Sequence, residues 1–186
     1  ETPQMKTGIY IEDIDVSGMT AEEAQAAVED YLAKMQTMPV ILRAAQGNEI
    51  EVTAADFGME WSNTDIVEEA LSVGTTGNPI ARYKELKDLE TNGMVYHLEY
   101  NFDDALVSQV IQEKCAEFDQ HAQNATMERV NGEFVIHEEV AGAVIDEAAS
   151  VEAIKTALSS AENVSEEGFT IDLVAKVEEP VGKAED

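Results

Sequence analysis

An α+β fold, built as two degenerate repeats of helix, β-hairpin, helix and strand packed together, is what this 186-residue sequence predicts. Three observations carry the prediction. Apolar residues switch between strand-like alternation and helical spacing along the chain. Turn signals such as Gln46-Gly47-Asn48 and Asn131-Gly132 divide short strand-like runs. The order of elements also recurs, reading strand, helix, hairpin, helix and then helix, hairpin, helix, strand, with Asp56-Phe-Gly58 and Val140-Ala-Gly142 at the hairpin exits. The repeats divide the chain into residues 1–93 and 94–179, with a frayed tail at 180–186. Each half holds too little apolar area to be comfortable alone, so the two are expected to bury one another.

The first element is a strand over Gly8–Val16, rich in β-branched residues and closed by Ser17-Gly18. Thr20-Ala-Glu-Glu23 is a capping box, in which hydroxyl and carboxylate each satisfy the other's backbone N–H. A helix follows with Ala24, Ala27, Val28, Tyr31, Leu32 and Met35 on one face, and Pro39 ends it. Val40–Ala44 and Glu49–Thr53 make a hairpin, and Trp61 follows Gly58 in a loop. Asp65 with Glu68 caps a short helix that stops at Gly74. Ile80–Glu90 reads as a helix with Ile80, Tyr83, Leu86 and Leu89 on one side.

Met94–Tyr100 alternates as a half-buried strand, and Asn101 caps a helix to about Phe118 with Leu106, Val107, Val110, Ile111, Cys115 and Phe118 inward. Asn131-Gly132 joins Met127–Val130 to Glu133–Ile136 in a type I′ hairpin. Gly142–Asp146 leads into a helix whose inner face is Val151, Ile154, Leu158 and Ala161. A last strand spans Phe169 to Val177 and stops at Pro180.

Composition narrows the function. With 39 Asp and Glu against 11 Lys and Arg, the net charge is −28, which repels phosphate and disfavours nucleic acid and anionic membrane as partners. One cysteine excludes an intramolecular disulfide, and no apolar run approaches the roughly 18 residues of a membrane helix. The chain opens on Glu1, which suggests that an upstream signal or anchor has been removed.

The chemistry-bearing residues are few. Asp13, Asp15, Ser17 and Gly18 open like a calcium loop, but the twelfth position is Ala24 rather than a bidentate Glu, and the same residues already serve as strand end and cap. His97, His121 and His137 fall in separate elements without metal-ligand spacing, so no metal or other cofactor is assigned. Cys115 lies in an amphipathic helix as a small core residue. No Gly-x-Ser-x-Gly, Ser-x-x-Lys or phosphate loop is present, and carboxylate pairs among 39 acids arise by chance, so the chain is read as no enzyme.

Two ligand-binding candidates remain. Trp61 can stack its indole on a sugar ring or plug a loop against the core. The only dense cationic cluster, Arg82, Tyr83, Lys84 and Lys87, can grip a carboxylate or merely offset Glu85 and Asp88.

The opening Gly8-Ile-Tyr-Ile-Glu-Asp-Ile-Asp-Val-Ser-Gly18-Met-Thr20-Ala-Glu-Glu23-Ala24 resembles the extracellular N-terminal region of VanW-type envelope proteins. Phe57-Gly58, Ala70–Gly74, Gly77-Asn78 and Arg82 resemble the stretch that follows there. From Phe102 to Val177, with Gly142-Ala-Val-Ile-Asp146 and the closing helix and strand, the chain resembles the YoaR-like peptidoglycan-binding domain found before VanW and some L,D-transpeptidase domains. The resemblance implies a non-catalytic module outside the membrane of a Gram-positive-type bacterium, anchored by a segment outside this sequence and contacting peptidoglycan or its stem peptides; a monomer is expected. The transpeptidase Cys and His motifs are absent, and the family supplies no binding-residue motif to carry over. The alternative is an acidic spacer that holds a downstream domain off the membrane without a tight ligand.

Overall fold

A computed structural model describes residues 1–160 and 168–181. The expected tail and Ala161 lie outside or largely outside these residues. The fold is mixed α+β, with helices alternating with small sheets in the manner of repeated helix–strand units. The chain compacts into two units made of interleaved segments: Glu1–Met38 with Gly58–Phe102, and Pro39–Phe57 with Asp103–Asp186.

In the first unit the run from Gly8 does not continue as one strand. It breaks into β1 (Ile9–Ile11) and β2 (Ile14–Asp15), an antiparallel pair. The cause lies at the turn, where Glu12 adopts φ +51° and its N–H donates to Tyr96 O at 2.8 Å. The helix α1 (Ala21–Thr37) begins as the sequence predicts, with Thr20 Oγ1 accepting from Glu23 N at 3.2 Å and Glu23 Oε2 from Thr20 N at 2.9 Å. Ala24, Val28 and Met35 bury its inner face.

Trp61 is in strand rather than loop: β5 (Glu60–Trp61) pairs with β7 (Tyr100–Asn101). The helix α2 (Ile66–Ser72) starts after Asp65, yet Asp65 itself is helical in backbone and makes no side-chain cap, so the expected Asp65 cap is not formed. The next helix, α3 (Pro79–Asn92), is capped by Asn78, whose side chain accepts from Ala81 N at 2.9 Å. The expected apolar stripe of α3 is only half used. Leu89 is buried and Leu86 partly so, whereas Ile80 and Tyr83 are exposed, because the helix docks by its C-terminal half.

Gly8 fixes that docking: a Cβ there would lie 2.1 Å from Leu89 O. The predicted strand Met94–Tyr100 also divides, into β6 (Met94–Tyr96), parallel to β1, and β7. The two segments serve different sheets, so a single alternating run feeds two neighbours.

The second unit is centred on β3 (Pro39–Arg43), flanked by antiparallel β4 (Glu49–Thr53) and parallel β11 (Phe169–Asp172). Asn101 is not the cap of the following helix. Asp103 is, with Oδ1 accepting from Ala105 and Leu106 N, and α4 (Asp104–Val110) then loosens into a π-helical stretch at Ile111–Cys115 and a 3₁₀ turn at Ala116–Phe118. Val107, Val110, Ile111 and Cys115 face inward, whereas Leu106, expected inward, stays exposed.

The hairpin of β8 (Thr126–Val130) and β9 (Glu133–His137) turns through Asn131 at φ +53° and Gly132 at φ +89°, as a type I′ turn requires. β10 (Gly142–Ile145) leads into α5 (Glu147–Ser159), capped by Asp146 Oδ1 on Ala149 N. The last predicted strand is again two, β11 and β12 (Ala175–Glu178), the latter antiparallel to β10. The break is held by Ser150, fully buried on α5. Its hydroxyl donates to Val174 O at 3.2 Å and accepts from Val174 N at 2.9 Å. Val177 is exposed.

Candidate functional site

The cationic cluster on α3 becomes a cleft in the first unit. Pro79 at the first helical position and the Asn78 cap start α3 where the chain leaves Gly74, whose φ of +75° ends the preceding turn. A Cβ on Gly74 would stand 2.8 Å from Leu86 Cδ2 and 3.4 Å from Lys6 Cγ, so glycine permits the close approach that brings these elements together. The result is an open cleft of about 380 Å³ lined by Lys6, Gly74, Pro79, Arg82, Tyr83 and Leu86.

Its electrostatics differ from the rest of the chain. The lining contains two cations and no carboxylate, on a protein of net charge −28. Arg82 and Lys6 make no ion pair among the described residues, whereas Lys87 binds Glu90 at 3.0 Å and lies 5.9 Å from the centre of the Tyr83 ring. Carboxylate hydrogen bonding holds the Lys87 ammonium above its ordinary pKa. Tyr83 is 63% exposed. A guanidinium, an ammonium and a phenol edge around an aliphatic floor suit a carboxylate attached to an apolar group.

Trp61 lies elsewhere in this unit and does not line the cleft. It is half-buried against the core, and its Nε1 donates to Asn63 Oδ1 at 2.8 Å. That oxygen also accepts from Glu99 N at 2.8 Å, while Asn63 Nδ2 donates to His97 O at 2.9 Å. The indole thus pins β5 to the segment before β7. The structure brings Arg82 and Tyr83 together and leaves Trp61 apart.

Around the same core sits a group that sequence reasoning passed over. The Glu12 side chain is 5% exposed, accepts from Leu98 N, and faces His97 Nδ1 at 3.4 Å. Burial, with Glu12 and Asp13 nearby, pushes the Tyr31 phenol up to about 12, and burial with Tyr31 and Glu12 nearby raises that of Tyr100 as well. Both phenols stay protonated at neutral pH. The one available signal was an isolated Glu within a β-branched run.

The three histidines are separate, each beside one glutamate: His97 at Glu12, His121 at Glu178 (3.2 Å) and His137 at Glu128 (3.6 Å). No group of three or more His, Cys, Asp or Glu suited to a metal occurs among the described residues. Asp15 accepts from Ser17 N at 3.0 Å, and hydrogen bonds from Ser17 hold its carboxyl below the usual range. Cys115 is buried, and burial pushes its thiol up to about 11.

The described residues thus form an α+β module with a small cationic cleft on its first unit. Residues 50–165, more than half of the chain, match the family described as "Putative peptidoglycan binding domain", and the chain belongs to that family. No curated protein and no solved structure matches it. No helix among the described residues is long and apolar enough to cross a membrane.

Proposed function

We propose that this chain is a non-catalytic module that contacts peptidoglycan on the outer face of a Gram-positive-type envelope, in the VanW-type and YoaR-like arrangement, anchored by a segment outside this sequence. The observation that carries the reading is the family match over residues 50–165, which includes the α3 side of the cleft. In this reading Arg82 and Lys6 grip a stem-peptide carboxylate and Tyr83 and Leu86 cover its aliphatic part, while Trp61 supports the wall of the unit.

Peptidoglycan stems carry free carboxylates, whereas teichoic acid carries phosphate along its whole length, and a chain at −28 is repelled by a dense polyanion. The test is co-sedimentation with purified sacculi before and after removal of teichoic acid. Stripped sacculi are expected to retain the protein at least as well as unstripped ones, and Arg82→Gln with Tyr83→Ala to weaken retention. Loss of binding on stripping contradicts the reading. The net charge of −28 also favours a second reading, an acidic spacer; no retention by either preparation at high loading would support it.

A further inference from the structure

The β8–β9 hairpin presents a surface that the cleft does not explain. Its register pairs Met127 with Ile136 and Arg129 with Phe134. Because side chains alternate along a strand, these four share one face, and Thr126, Glu128, Val130, Glu133, Val135 and His137 share the other. Every residue of both strands is exposed, and Met127, Phe134 and Ile136 keep 67%, 66% and 69% of their surface open. A two-stranded ribbon with neither face covered is marginal in water.

This ribbon is held at both ends. The left-handed turn closes one end. At the other, Gln123 and Val140 exchange backbone hydrogen bonds of 2.8 and 2.9 Å, and Gln120 and Ala143 exchange bonds of 2.9 and 2.7 Å. An apolar face held at both ends and left open is the mark of an interaction surface.

Charge selects the occupant. The open face carries a single charge, Arg129, which lies 5.7 Å from the centre of the Phe134 ring and makes no ion pair among the described residues. Both carboxylates of the strands, Glu128 and Glu133, fall on the opposite face, where Glu128 meets His137 at 3.6 Å. A second copy is a poor fit, since two chains of −28 repel and a two-fold pairing would set two Arg129 side chains against each other. An amino-sugar strand with pendant carboxylates is a good one: the C–H face of a pyranose lies on Phe134 and Ile136, and a carboxylate reaches Arg129.

We propose that the Met127, Arg129, Phe134 and Ile136 face of the hairpin is a docking surface for the peptide-bearing glycan strand of peptidoglycan, with Arg129 meeting a stem carboxylate. The inference rests on the peptidoglycan reading above and adds a second surface to it. The experiment compares the whole wild-type chain, Phe134→Ser with Ile136→Thr, and Arg129→Gln, on purified sacculi and on chitin, an amino-sugar polymer without carboxylates. The double variant should lose about tenfold in retention on both polymers, and Arg129→Gln should lose about threefold on sacculi and nothing on chitin.

All three side chains are exposed, so melting temperatures should match the wild type; should the double variant unfold, Arg129→Gln alone decides. If the wild type binds sacculi and Arg129→Gln binds equally, the hairpin proposal is overturned while the peptidoglycan reading stands. If the wild type does not bind, both fall. Concentration-dependent dimerisation of the wild type in sedimentation velocity, abolished by the double variant, would overturn it too, by making the face an interface between copies.

Discussion

Gly142→Ala should destabilise the second unit more than any other methyl addition to the hairpin region, and the geometry sets the size of the effect. A Cβ at Gly142 would lie 2.2 Å from Gln120 O, 2.4 Å from Ala122 N and 2.7 Å from His121 C. Ordinary contact begins near 3.4 Å, and all three atoms are backbone, so no side chain can swing aside. The 120–122 segment, exposed at Gln120 and His121, must retreat by about 1 Å toward solvent. The retreat breaks the paired Gln120–Ala143 hydrogen bonds of 2.9 and 2.7 Å.

Two backbone bonds at about 1 kcal/mol each, with part of the overpacking strain of about 1–3 kcal/mol, give a loss of about 3 kcal/mol. For a unit of about 100 residues that is a drop in melting temperature of about 12–24 °C, read by circular dichroism or calorimetry. A midpoint within about 2 °C of wild type would refute the steric argument.

Gly132→Val should cost about 1 kcal/mol or more in urea denaturation, from backbone conformation alone, because nothing lies within 4 Å of its Cβ while φ is +89°; an unchanged midpoint would show the turn can relax. Glu178 accepts from Ala122 N at 3.0 Å, and that bond, then His121, holds its carboxyl below the usual range. A depressed folded pKa means that its contribution is complete at neutral pH and is lost as pH falls through the lowered value, so Glu178→Gln should flatten the acid limb of the stability profile; a parallel profile would contradict this. Cys115, raised to about 11, should resist a thiol reagent at pH 8 until the chain unfolds, and fast native labelling would contradict its burial. Residues 1–93 and 94–186, expressed separately, should each fail to melt sharply, because β1 loses β6 and β3 loses β11; two sharp, independent transitions would count against this.

Local signals were legible where a few neighbouring residues determine the outcome. Thr20 and Glu23 form their box without outside help, and Asn131-Gly132 makes its turn from backbone preference alone. What the sequence hid were interruptions imposed from a distance. Gly8–Val16, Met94–Tyr100 and Phe169–Val177 each read as one strand, yet the first folds back on itself and the other two divide between two sheets, with Tyr96 O at Glu12 and Ser150 at Val174 holding two of the breaks. No alternation of polarity records such a contact.

The site divided the same way. Arg82 and Tyr83 were visible as a local cluster, adjacent on α3, but Lys6 joins them only through the fold at Gly74. Trp61 gave no sign of its hydrogen bond to Asn63, and the face of Phe134 and Ile136 reads in sequence like any strand with a partner. An open face and a covered one share one pattern, because alternation reports which residues can be buried and not whether anything covers them.

Titration of the isotopically labelled chain with soluble peptidoglycan fragments, followed by amide chemical shifts, shows whether this chain binds peptidoglycan through the two surfaces. Saturable shifts are expected, confined to the residues around Lys6, Gly74, Arg82 and Tyr83 and to the β8–β9 hairpin, with fragments lacking stem peptides sparing the first group. Spectra that do not change at millimolar fragment, or shifts that avoid both surfaces, would contradict such binding.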